Sequence, residues 1–253
     1  MGLDMQIWLW NLGGFIMLGV KGLLAGSYEG GIDSYTVFML HGDGADGGTT
    51  FTDSSASGHT VVSRVSCTTV TAVKKFGTAS IAFQWDPNGI SWTDSVDFTF
   101  GKGNFTIDFW MYNNASFSQY EAVFSDRQGS GSFYYSMVFW LRNDNKLQFS
   151  WYDTSHTIYS CSSNAVHAEN EWVHYAVVRN GAELAMYVNG VKQTATANVG
   201  TSTQYDTGVA FYMGQDGAYD DYHFESGYID EFRISKGIAR WTADFTPPTA
   251  AYS

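Results

Sequence analysis

The sequence predicts an all-β antiparallel sandwich preceded by an extended apolar N-terminal arm. Three observations carry this reading. Short runs of alternating apolar and polar residues recur along the chain, turn residues separate them about every ten positions, and no stretch keeps a helical period. The chain has 253 residues, 44% of them hydrophobic and 17% aromatic, enough for a substantial core. Only 15% of residues are charged, which argues against disorder. One domain over 35–253 and an arm over 1–34 account for this pattern, since no Pro-rich linker, repeat or low-complexity tract divides the body.

The arm contains "IWLWNLGGFIMLGVKGLL", Ile7 to Leu24. A signal peptide needs basic residues before its apolar core, and "MGLDMQ" offers only Asp4. A membrane span needs about 20 clean apolar residues, whereas this run holds Asn11, Lys21 and several glycines. Two strands, "QIWLW" and "FIMLGV", fit better. Trp8, Trp10, Phe15 and Met17 are its expected anchoring residues, because such a segment must pack on its own domain, a copy, or another protein.

In the body, "FTIDFWMY" places Phe105, Ile107, Phe109 and Met111 on one face. "FYYSMVFWLR" and "KLQFSWY" form a hairpin through "RNDN". "EWVHYAVVRNGAELAMYVNGVK" reads as a three-stranded meander with type I′ turns at Asn180-Gly181 and Asn189-Gly190. In "GYIDEFRISKGIARWTADFTPPTAAYS", alternation assigns Tyr228, Asp230, Phe232 and Ile234 to one side and Ile229, Glu231 and Arg233 to the other. Two carboxylates and an arginine here suggest a catalytic pair, a metal site or an ion pair, the last joining Asp230 or Glu231 to Arg233 or Lys236. Pro247 and Pro248 force an extended tail, and Trp241 and Phe245 are expected to peg it across the sandwich.

The net charge of −12 disfavours nucleic acid and anionic membranes as partners. Cys67 and Cys161 are too few for a zinc site and read as two small buried residues, although one disulfide stays open.

"YTVFMLHGDGADGGTTFTDSSASGHTV", "KKFGTASIAF", "NFTIDFWMY", "EWVHYAVVRNG", "AMYVNGVKQ" and the closing stretch resemble, in order, a laminin-G-like, concanavalin A-like jelly roll. The resemblance spans essentially 35–253. Its "SKGIARWT...FTPPT" ending is similar to modules on bacteriophage virion proteins, which implies a surface-exposed binding module on a tail, fibre or capsid. The expectation is therefore a non-catalytic virion structural protein, assembled in the host cytoplasm. Its arm would hold other virion proteins and its jelly roll would contact host surface glycans. A homo-oligomer follows from the apolar arm, with a trimer suggested by fibre and capsid symmetry. Two alternatives are a secreted bacterial carbohydrate-binding module and a glycan-degrading enzyme.

Glycoside hydrolases on similar jelly rolls use same-face carboxylates about 5 Å apart. Here Asp230 and Glu231 are adjacent, and Tyr228 and Phe232 stand where further carboxylates would be needed. The six histidines are scattered and no nucleophile elbow occurs. No catalytic residue is assigned. Asp43, Asp53 and Asp230 are candidate ligands of a structural Ca2+ joining the first loop to the last strand, with turn capping an equal alternative for the first two. For glycans, "GQDGAYDDYHFESG" offers Asp216, Tyr219, Asp220, Asp221, Tyr222 and His223, and "QWDPNGISWTD" offers Trp85, Asp86, Asn88 and Trp92. Aromatic faces stack on sugar rings while carboxylates and amides bond hydroxyls. For the two tryptophans a core role is favoured.

Overall fold

The computed structural model describes residues 8–12, 15–19, 31–64, 67–83, 89–114, 119–126, 135–217, 219–224 and 226–253. Its first ten strands are β1 (Trp8–Leu12), β2 (Phe15–Gly19), β3 (Thr36–Leu40), β4 (Val61–Ser63), β5 (Thr68–Val70), β6 (Ser80–Phe83), β7 (Ile90–Trp92), β8 (Phe105–Asn113), β9 (Glu121–Ser125) and β10 (Met137–Leu141). The remainder are β11 (Leu147–Tyr152), β12 (Ile158–Ser162), β13 (Trp172–Asn180), β14 (Glu183–Val188), β15 (Val191–Lys192), β16 (Ala197–Asn198), β17 (Phe211–Met213), β18 (Gln215–Asp216), β19 (Tyr219–His223) and β20 (Gly227–Lys236).

Two nine-stranded sheets enclose one core. The front sheet runs β12-β11-β10-β9-β17-β7-β4, with the β18–β19 hairpin beside β9; the back sheet runs β15-β14-β13-β8-β20-β6-β5, with β3 on β20 and β16 on β14. The expected hairpin pairs, β10 with β11 and β13 with β14, are antiparallel. Alternation along β8 holds as read: Phe105, Ile107, Phe109 and Met111 all enter the core. Trp92 is a core residue, its ring stacked 4.3 Å from Phe38 and 5.7 Å from Phe211. Trp85, Asp86 and Asn88 lie outside the described residues. Cys67 and Cys161 are free and buried.

The two Asn-Gly turns differ. Val188 pairs with Val191, and Asn189 and Gly190 both have positive φ (47° and 78°), the type I′ pattern. Asn180 instead pairs with Glu183, so Gly181 and Ala182 form the loop and only Gly181 has positive φ. That is the type II′ arrangement, one residue later than expected, because Asn180 extends the ladder.

The alternation expected for the last strand breaks at a bulge. Asp230 pairs with Trp110 and Arg233 with Asp108, so Glu231 and Phe232 together oppose Phe109. Glu231 takes a φ of 51° there. Ile229, Phe232 and Ile234 consequently enter the core, while Arg233 faces outward.

Across the outer face of the back sheet, Tyr187, Ala176, Asp108, Arg233 and Met39 are successive register neighbours on β14, β13, β8, β20 and β3. Arg233 donates from Nε and Nη2 to the two Asp108 oxygens at 3.0 and 3.2 Å, and neither residue is exposed. The tail seals this pair. Trp241 and Phe245 stack at 4.0 Å beside Ala176, Val178, Ala185 and Tyr187, and the Tyr252 hydroxyl donates to Asp108. Arg240 donates to Asp33 at 2.8 Å and the Ile32 amide to the Ser253 carbonyl at 3.2 Å. Residues 32 and 33 are thus already tied to the body.

Candidate ligand-binding site

The outer face of the front sheet follows from strand phase. In β10, Met137, Phe139 and Leu141 point into the core, which turns Val138 and Trp140 outward. Register then places Ala122, Trp140, Gln148 and Ser162 in one row, with Ser125, Val138, Ser150 and Ser160 in the next. His223 joins the first row by pairing with Ala122.

Trp140 is the hub of this face. Its ring lies 6.0 Å from Tyr120, 6.0 Å from Tyr135 and 5.7 Å from Tyr222, each edge to face. Tyr120 and Tyr222 are 37% and 38% exposed and Trp140 is half-buried, so apolar ring surface meets solvent. Beside it runs a polar ladder. Arg142 Nη1 donates to Gln148 Oε1 at 3.0 Å, Gln148 Nε2 donates to Ser150 Oγ at 3.0 Å, and the Ser150 and Ser160 hydroxyls share a bond of 2.9 Å. Rings for C–H faces next to amide, guanidinium and hydroxyl groups suit a polyhydroxylated ligand.

The expected binding loop is divided by the fold. Tyr222 abuts Trp140 and His223 is half-buried on β19. Asp216 is fully buried, accepting hydrogen bonds from Ser125 Oγ and the Tyr135 hydroxyl, both at 3.3 Å, and so supports the face from beneath. The side chains of Tyr219, Asp220 and Asp221 lie outside the described atoms. Those of Trp8, Trp10, Phe15 and Met17 do too, although their backbone forms the paired strands β1 and β2. Sequence reasoning missed Trp140, Tyr120, Tyr135 and Gln148. The signal was present in "SMVFWL", where Trp140 is out of phase with three core residues.

Asp43, Asp53 and Asp230, the expected calcium ligands, are each held by hydrogen-bond donors of the chain itself. Asp53 accepts from the Met39, Ser55 and His59 amides and the Ser55 hydroxyl at 2.7–3.0 Å. Asp43 accepts from the Thr78 amide, the Thr78 hydroxyl at 2.9 Å and the Ala79 amide at 3.3 Å. Oδ2 of Asp230 accepts from the Lys75 and Phe76 amides at 2.7 and 3.1 Å. These donors hold Asp53 through both oxygens, Asp43 through Oδ1 and Asp230 through Oδ2. Among the described residues, no group of three or more His, Cys, Asp or Glu side chains is placed to hold a metal ion.

The local ion pairs expected in the last strand are also replaced by long-range ones. Arg233 holds Asp108, and Glu231 accepts from His41 Nδ1 at 2.8 Å and from the Tyr252 amide at 2.8 Å. The Glu231 hydrogen bond raises the His41 pKa against its partial burial. Asp230 is fully buried, and its Oδ1 has no hydrogen-bond partner among the described residues. Burial pushes its carboxyl up to about 7, opposed by the two amides and aided by the Glu231 and Asp43 charges.

A folded-state pKa above the unfolded value of about 3.9 means the native state holds this proton more tightly. The contribution is complete below pH 4 and is lost as pH rises through about 7. Asp230→Asn keeps an acceptor for both amides and removes the titration. Urea unfolding from pH 4 to 8 should show wild type losing on the order of a few kcal/mol relative to the variant. Parallel curves would show that Asp230 is ionised throughout.

A family model described as the concanavalin A-like lectin/glucanases superfamily, of the laminin G type, matches residues 86–240. No curated protein sequence matches the chain. Among solved structures, the chain is similar to the binding domain of Paraclostridial Mosquitocidal Protein 1, with 14% identity and a TM-score of 0.63 over 81% of this chain and 50% of that one. The receptor binding domain of botulinum neurotoxin D matches with 13% identity and a TM-score of 0.61, again over 81% and 50%. The botulinum neurotoxin serotype G binding domain matches with 13% identity and a TM-score of 0.60, over 81% and 49%. The chain spans about half the length of these structures, and at such identities the likeness is one of fold.

Proposed function

Because the chain belongs to the laminin G type of the concanavalin A-like lectin/glucanases superfamily, we propose that it is a non-catalytic carbohydrate-binding module whose ligand lies on the front sheet around Trp140. The observation that carries this reading is the partly exposed cluster of Trp140, Tyr120 and Tyr222 beside the Arg142–Gln148–Ser150–Ser160 ladder. The similar structures described as binding or receptor binding domains support the same class of activity. The adjacent carboxylates Asp230 and Glu231 are held by backbone amides and His41 on the back sheet, which supports a role in closure over one in hydrolysis.

The setting we propose is a bacteriophage virion, supported by the resemblance of the closing stretch. The front face would present the glycan contact, and the apolar arm would serve assembly with other virion proteins or further copies.

Glycan-array screening followed by calorimetry on the best glycan tests the site. Trp140→Ala should weaken binding about 30-fold, the usual scale for a central aromatic anchor, with the unfolding midpoint little changed. Tyr222→Ala should weaken it less. Binding unchanged in both variants would move the site elsewhere. Release of reducing sugar, lost on Asp230→Ala, would favour the enzyme. Antibody labelling of purified particles tests the virion setting separately.

A further inference from the structure

We propose that the outer face of the back sheet carries a seat for the chain's own N-terminal hairpin, on the aromatic strip Trp172–Tyr112–Tyr228. These three residues are register neighbours on β13, β8 and β20. Their rings meet edge to face at 5.6 and 5.7 Å, and all three are half-buried.

Along β8 the outward positions have different covers. Thr106 lies under Arg240 and the Ile238 carbonyl, and Asp108 under Tyr252. Trp110 lies under Lys75, whose Nζ sits 3.8 Å from its ring centre, and Phe76. The tail and the 74–76 loop stop there. Tyr112 and its two neighbours belong to none of the buried apolar clusters.

The hairpin supplies the complementary need. β1 and β2 pair with each other and, among the described residues, hydrogen-bond to neither large sheet. Trp8, Trp10 and Leu12 stand opposite Gly19, Met17 and Phe15 in register, and Leu9 and Asn11 opposite Leu18 and Ile16. A two-stranded hairpin is marginal in water without an apolar face to pack on. A seat on the strip would cover one side of it and leave the other to a neighbour, which keeps the assembly role open.

Tether geometry selects this chain's own hairpin. The Gly31 carbonyl accepts from Arg233 Nη1 at 3.3 Å, so the body begins on this same outer face. The Asp108 row lies about 13 Å from the Tyr112 row along β8. Residues 20–30 can span up to ~36 Å, more than that distance.

The test uses full-length protein, hydrogen exchange and hydroxyl-radical footprinting. Trp10→Asp with Met17→Asp should cut amide protection over 8–19 about tenfold and raise labelling of Trp172, Tyr112 and Tyr228. Tyr112→Ser with Tyr228→Ser should deprotect the hairpin equally. Near-UV circular dichroism checks that the sandwich persists; the hairpin variant alters neither large sheet and carries the test alone if the strip variant fails to fold. Unchanged labelling of Trp172 in the hairpin variant would overturn the proposal. So would protection that appears only at concentrations where light scattering finds dimers, because the seat would then belong to a second copy.

Discussion

Arg233→Met is expected to cost about 3–5 kcal/mol, the usual result of removing one partner from a buried ion pair. Asp108 has no exposure, and the substitution would leave its carboxylate with the Tyr252 hydroxyl and His174, whose Nε2 is 3.6 Å away. Burial opposes ionisation of Asp108, but the Arg233 charge and the His174 contact outweigh it and hold the carboxyl at about 2. Arg233 also lies over the Tyr252 ring, 3.6 Å from its centre, so its loss loosens the tail as well as the charge. Denaturant unfolding measures the cost. The double variant Asp108→Leu, Arg233→Met should recover much of it, since apolar residues of similar volume often replace such a pair without penalty. A loss below about 1 kcal/mol in the single variant would mean that water reaches the pair, as at surface ion pairs.

The same pair has an acid signature opposite in sign to that of Asp230. A depressed folded-state pKa contributes stability that is present above the unfolded value of about 3.9 and disappears as pH falls toward 2. Asp230 acts between about 4 and 7, where stability falls as pH rises. Asp126, which burial also pushes up to about 7, adds to the Asp230 limb. The lowered pKa values of buried His167 and His174 oppose it, so Asp230→Asn should reduce that limb without abolishing it.

Trp241→Ala is the second large effect, about 3–5 kcal/mol. The indole is 3% exposed, stacks on Phe245 at 4.0 Å, and lies beside Ala176, Val178 and Ala185, which the tail keeps from water. Its backbone carbonyl accepts from the Tyr187 hydroxyl at 3.4 Å. The Phe245 amide donates to the Gly190 carbonyl at 2.9 Å, so the tail is anchored at the β14–β15 turn too. Removing the indole should unfasten residues 241–253 before the sandwich unfolds. Faster exchange of the Tyr252 amide, ahead of the core strands, checks this order. Equal rates would mean that tail and sandwich open as one unit.

Much of the fold was legible because side-chain phase in a strand is a local property. β8 reads correctly from Phe105, Ile107, Phe109 and Met111 alone, and the pegging role of Trp241 and Phe245 follows from two prolines that forbid any regular continuation. The candidate site was half legible. Tyr222 was named because its loop is rich in binding-type residues, and the fold puts it beside Trp140, which sits inside an apolar run and looks like core until its neighbours are counted in phase.

Composition, alternation and turn residues by themselves determined an all-β sandwich and a closing strand with a tail. Tertiary structure alone decided the partners of the charges. The bulge at Glu231 puts Asp230 on the opposite side of β20 from Phe232 and Ile234, and a bulge depends on what the neighbouring strand presents. Arg233 finds Asp108, Glu231 finds His41 and Arg240 finds Asp33, all far away in sequence. The reason is physical. Burial makes a charge costly unless a partner lies within hydrogen-bond reach, and in an antiparallel sandwich that partner is set by which strands become neighbours.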